Sequence, residues 1–138
     1  MKLLTGVLVG AATPSVFAVE GDRATLLLAD AGDLSCLIEA AAEGHALPTP
    51  AADAPVIAVS EITPALPISR PGKIVCLGLN YAEHAREGGY DVPDYPAMFM
   101  RAPTSMVPAG APMVLPTASH TFDYEAELMV IIGRGGRH

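Results

Sequence analysis

The chain has no tryptophan, few aromatic residues (5 %) and only eight Lys and Arg against fifteen Asp and Glu. Each shortage excludes a class of partner. Neutralising a phosphate backbone needs a basic face, and a net charge of −7 argues against one, so no nucleic-acid partner is expected. So few rings make no stacking platform for bases or sugars. No apolar run reaches the roughly 18 residues that a spanning helix requires, which argues against a membrane. The only cysteines, Cys36 and Cys76, form no C-x-x-C pair, so neither a zinc ribbon nor a disulfide scaffold is indicated. Their apolar neighbours (Leu34, Leu37, Val75 and Leu77) predict buried free thiols in a reducing compartment.

What is abundant is apolar surface and turn formers. Apolar residues make up 51 % of 138 positions, which suffices for a real core and argues against disorder. The length fits one ordinary domain, or a small domain and part of another. Thirteen Gly and thirteen Pro point to short strands and many turns, and away from a helix bundle.

Residues 1–18 admit two readings. A charged start, an apolar stretch and Val16-Phe17-Ala18 resemble a cleavable export signal. Gly6 and Gly10 interrupt that stretch and one basic residue is weak for a signal, so a first β-strand with a turn at Thr13-Pro14 is the preferred reading. The cytoplasm is the expected compartment.

Further along, Leu3–Val9, Ser15–Val19 and Ala24–Leu28 read as strands, the last two joined by a hairpin turn at Gly21-Asp22. Asp33 reads as the N-cap of a helix over 34–43, with Leu34, Leu37, Ile38 and Ala41 at helical spacing and Gly44 as the stop. Six prolines between 47 and 72 predict a stiff linker with at most a short strand at Val56–Val59. The domain boundary falls near Arg70. Beyond it, Ile74–Leu77 is a buried-strand pattern, Tyr81–Glu87 a short helix closed by Gly88-Gly89, and Ala97–Arg101 a strand. Met113–Leu115 is short and extended, and Tyr124–Ile132 is the longest strand candidate.

Two constellations could carry chemistry. In Asp123-Tyr124-Glu125-Ala126-Glu127, strand alternation points Glu125 and Glu127 the same way. Carboxylates so close repel one another, and a hard divalent cation relieves that repulsion. The plain alternative is a solvated strand face. In Asn80-Tyr81-Ala82-Glu83-His84-Ala85-Arg86-Glu87, His84 and Glu87 are helix neighbours. A carboxylate beside an imidazole fixes its tautomer and suits it to act as a general base, although an incidental surface pair has the same spacing. Arg101, at a strand end, could hold a substrate carboxylate. His45, His120 and His138 lack comparable partners and read as surface residues. Gly133-Arg134-Gly135-Gly136-Arg137 lacks the Lys-Ser/Thr of a phosphate loop and reads as a turn.

Taken together, Lys73-Ile-Val-Cys-Leu-Gly-Leu-Asn-Tyr-Ala-Glu-His84, Tyr95-Pro-Ala-Met-Phe-Met-Arg101 and Phe122-Asp-Tyr-Glu-Ala-Glu-Leu128 occur in an order that resembles the fumarylacetoacetate hydrolase family. The resemblance implies an α+β, mostly β fold. It assigns residues 1–70 to a small N-terminal domain with its Pro-rich linker, and 71–138 to the first part of the catalytic domain. It also implies a divalent metal, Mg²⁺ or else Mn²⁺ or Ca²⁺, with Glu125 and Glu127 as ligands. His84 and Glu87 match the pair that activates water. The implied activity is hydrolysis of C–C bonds in acylpyruvate-like β-dicarbonyl acids by a homodimer, with a small keto acid as substrate. An isomerase or decarboxylase of aromatic-degradation type is the alternative within the same fold. In the family a third metal ligand, an Asp, and a catalytic Lys follow the Glu-x-Glu strand, whereas this sequence ends at His138. It therefore reads as the N-terminal portion of such an enzyme, with a non-catalytic product as the remaining alternative.

Overall fold

The computed structural model describes residues 1–121 and 126–137. The architecture is α+β and mostly β, as the sequence implied. The chain divides into two compact units, one of residues 1–69 with 107–138 and the other of residues 70–106.

The first unit is built on a five-stranded antiparallel sheet. Its alternating apolar runs form β1 (Lys2–Leu8), β2 (Ser15–Glu20) and β3 (Arg23–Leu28). Glu20 pairs with Arg23, which leaves Gly21-Asp22 as a two-residue turn, and Gly21 takes the positive φ of +58° that such a turn requires at its first position. Val16 pairs with Leu28 and Phe17 with Leu26, so Leu27 is an extra residue on β3 and the ladder bulges there. Two short strands complete the sheet: β4 (Val56–Ala58) beside β3 and β5 (Ile62–Pro64) beside β1. The stretch expected to be a linker with at most a short strand at Val56–Val59 thus supplies both edges, β4 where that strand was expected and β5 where none was. Proline does not prevent this, because Pro64 is the last residue of an edge strand and need not donate to a ladder.

Phe17, Ala24 and Ile62 form the buried centre, with Leu4, Leu8, Val19, Leu26, Ile57 and Val59 packed around them. β1 and β5 approach so closely that a Cβ on Gly6 would lie 2.9 Å from the Thr63 carbonyl oxygen. Thr5 pairs with Val16, and both are buried.

After β3 the helix α1 spans Ser35–Ala42 and buries Leu37. Its N-cap position is Leu34, not Asp33 as expected. The Asp33 carboxylate still accepts the Ser35 N–H at 2.8 Å, so it serves the helix end from one residue further out. At the other end Gly44 has φ +90°, His45 donates to the Ala40 carbonyl and Gly44 to that of Ala41, the paired bonds of a Schellman stop. Cys36 is exposed, a correction to its expected burial: it is one residue from Leu37 and so points about 100° away from the buried stripe.

The strand expected over Tyr124–Ile132 is a second correction. Residues 126–132 form no strand, and the side chains from Leu128 to Ile132 are exposed. Alternation and β-branching supply only a propensity; a strand forms where a neighbouring ladder is offered. Residues 124 and 125 lie outside the described residues. Met113–Leu115 likewise forms no strand.

The second unit is an antiparallel pair, β6 (Ile74–Gly78) and β7 (Ala97–Arg101), with the helix α2 (Ala82–Glu87) between them. The register sets Val75 opposite Met100 and Leu77 opposite Met98, and all four are exposed. Cys76 lies on the other face and is half-buried rather than buried, since a two-stranded sheet covers little. Among the described residues no helix is long and apolar enough to cross a membrane.

Candidate active site

The second unit holds the His84–Glu87 constellation. Leaving β6, the chain turns at Leu79, whose φ of +53° is unusual for a branched side chain. That conformation costs about 1 kcal/mol or more, so the neighbouring structure imposes it. Asn80 follows, and Tyr81 takes extended geometry as the N-cap of α2. Ala85 is fully buried and anchors the helix. Tyr90 donates to the Ala85 carbonyl at 2.8 Å and Gly89, at φ +74°, to that of Arg86 at 3.1 Å, which ends α2 as Gly44 ends α1.

His84 and Glu87 lie one turn apart on α2 and therefore share a side of it. Both are exposed. Among the described residues, no hydrogen bond or ion pair joins them. The arrangement leaves both the imidazole and the carboxylate open to solvent.

A cleft of about 250 Å³ opens at the C-terminal end of β6. It is lined by Leu77–Asn80 on one side and by Val92, Pro93, Asp94 and Pro96 on the other. Asn80 and Asp94 are its polar side chains. Sequence reasoning singled out neither as a site residue. The signal for Asn80 was its place directly after a strand, where ligand-facing groups often stand; nothing local marks Asp94.

Arg101 is exposed and sits opposite Ile74, whereas Gly78, the residue leading towards α2, pairs with Ala97. Four residues of ladder separate the two ends, about 13 Å of strand rise. The register thus does not bring Arg101 to the end of the sheet from which His84 is reached.

In the other unit, Glu127 is exposed. Glu125 and Asp123 lie outside the described residues, as does His138. Among the described residues no three His, Cys, Asp or Glu side chains cluster as a metal site. The chemistry of the candidate donors nevertheless fits a hard cation: oxygen ligands only, with Glu127 open to water. His120 is exposed, and His45 is paired at 3.8 Å with Glu43.

Residues 73–138 match the family model for the fumarylacetoacetate (FAA) hydrolase C-terminal region. Residues 73–138 belong to this family. The stretch takes in β6, α2 and β7. The mitochondrial oxaloacetate tautomerase FAHD2A of Homo sapiens is 42 % identical over 88 residues, 64 % of this chain and 28 % of that relative. The corresponding Rattus norvegicus protein is 40 % identical over 88 residues, again 64 % and 28 %. An uncharacterized protein of Pyrococcus horikoshii is 44 % identical over 69 residues, 50 % of this chain and 30 % of its own length. The chain thus spans less than a third of the length of the curated relatives it matches.

Proposed function

We propose that this chain supplies the carboxylates and the proton-transfer pair of a fumarylacetoacetate hydrolase-type enzyme acting on a small β-dicarbonyl or 2-oxo acid. The observation that carries the reading is that a single family match, over residues 73–138, takes in His84, Glu87, Glu125 and Glu127 together. A divalent cation, Mg²⁺, Mn²⁺ or Ca²⁺, would supply Lewis-acid charge to the carbonyl and carboxylate oxygens of the substrate. Glu125 and Glu127 are the residues assigned to hold it. His84, with Glu87 fixing its tautomer, takes the proton. Arg101, at the far end of the β6–β7 ladder, is assigned no step.

Two reactions use that proton transfer. In C–C hydrolysis His84 deprotonates a water whose oxygen attacks the distal carbonyl carbon. The C–C bond then breaks, and its electron pair leaves as an enolate that is reprotonated. In tautomerisation His84 moves a proton between carbon and oxygen of the substrate and no C–C bond breaks. The activity for which the human and rat relatives are named, oxaloacetate tautomerase, favours the second. We place the enzyme in the cytoplasm as a homodimer, a reading that sedimentation and cell fractionation test, since those two relatives are named as mitochondrial.

The test is turnover of enol-oxaloacetate and of an acylpyruvate, followed by loss of enol absorbance with and without Mg²⁺. Metal-dependent turnover of either that falls at least ~100-fold in His84→Ala is the expected result. Turnover of neither, or turnover indifferent to His84, overturns the reading.

A further inference from the structure

The first unit ends its contribution to the sheet at Pro64, yet the chain does not leave it there. Residues 65–69 stay against it through a small set of bonds. Ala65 donates to the Thr5 carbonyl at 2.8 Å, and the Pro67 carbonyl accepts the Leu34 N–H at 2.9 Å. Ser69 then donates twice to Asp33 Oδ2, from its N–H at 2.8 Å and its hydroxyl at 2.6 Å. Asp33 Oδ1 is meanwhile occupied by the Ser35 N–H at the start of α1. Asp33 is 8 % exposed, so both oxygens depend on these donors in place of water.

The residues so held have little else to keep them. Ala65, Leu66, Pro67 and Ile68 are half-buried, none of them belonging to the packed centre of the sheet. Pro67 has no N–H, so this stretch cannot extend the β5 ladder without a gap. Past Pro67 the hold comes from Asp33, through charge-assisted bonds that are roughly twice as strong as neutral ones.

We propose that residues 65–69 form a strap latched by Asp33, able to open as one piece while the five-stranded sheet stays closed. The second unit begins at Arg70, immediately after the latch. A closed latch anchors the chain up to Ser69; an open one frees the five residues of the strap, which span at most about 17 Å when extended. Asp33 therefore acts as a conformational control on the segment that leads into β6 and α2. This holds whichever reaction the enzyme performs.

Hydrogen exchange followed by mass spectrometry on the full chain tests the latch. In Asp33→Asn, amides of residues 65–69 should exchange about tenfold faster or more, while those of β1, β2 and β3 keep their protection. Ser69→Ala keeps the carboxylate and removes only the hydroxyl bond; it should give the same pattern at a few-fold, and it carries the test if the Asn variant folds poorly. Unchanged exchange at 65–69 in both variants overturns the proposal. Equal acceleration of the strap and of the three strands also overturns it, since the strap would then open only with the whole unit.

Discussion

The Arg134 guanidinium donates from Nε to the carbonyl oxygen of Ala42 at 3.0 Å, across 92 residues of sequence. Ala42 is the last residue of α1, and its carbonyl is one of those a helix leaves without an internal partner. Nη2 of Arg134 donates to the same oxygen. Next to it, Gly133 lies against Ile38 and Ala42, where an added Cβ would come within 3.2 Å of the Ile38 side chain. The Gly-rich tail thus covers a helix end with both a cation and hydrogen bonds. Because the pair is exposed, Arg134→Ala should cost only about 0.5–1 kcal/mol, read as a small drop in Tm, with Arg134→Lys recovering part of it. A loss of several kcal/mol would mean that the tail holds more than this helix end.

Asp33 makes stability depend on acid. Burial alone would raise its pKa, but the hydroxyl and N–H of Ser69 and the donors of Ser35 outweigh burial and hold the carboxyl well below its ordinary value. A depressed folded pKa means stability that is complete above the unfolded value, about 3.9, and lost as pH falls towards the folded one. Asp33→Asn should therefore lower stability by less than about 1 kcal/mol at pH 7, because opening of the strap limits the loss, and the gap from wild type should narrow below about pH 4. Thermal melts from pH 7 to pH 3 measure it. A gap that stays constant over that range would contradict the assigned network.

Thr5 offers the opposite case. Its hydroxyl is buried and, among the described residues, has no hydrogen-bond partner. Thr5→Val replaces it with a methyl of nearly the same shape on a strand that favours β-branching. The variant should gain about 1 kcal/mol, a rise in Tm of a few degrees. A fall in Tm would reveal a partner for the hydroxyl.

The β1–β2–β3 meander was legible because each strand alternates and Gly21-Asp22 is a two-residue turn by chemistry alone. The helix stops were legible because Gly44 and Gly89 can take positive φ. What the sequence hid is whatever depends on distant neighbours. β5 is a strand only because the edge of β1 accepts Ile62, Thr63 and Pro64, residues whose prolines argue for a linker. Residues 126–132 carry a stronger strand pattern and form none. Asp33 serves the helix end as expected through Oδ1, but the bonds of its second oxygen to Ser69, 36 residues away, are not foreseen by helix-cap chemistry. In the site, the spacing of His84 and Glu87 was enough to place both on one side of α2. That Asn80 and Asp94 line one cleft was not legible, since it arises only when β7 folds back on β6.

The assignment of Glu125 and Glu127 to a hard cation is the centre of the functional account, and calorimetry addresses it directly. Mn²⁺ and Mg²⁺ are titrated into the chain and into the double variant Glu125→Gln/Glu127→Gln. The account predicts saturable binding to the wild type, weakened by at least ~100-fold in the variant, where two charged ligands become neutral amides. Absence of saturable binding, or binding that the double variant retains, would contradict it.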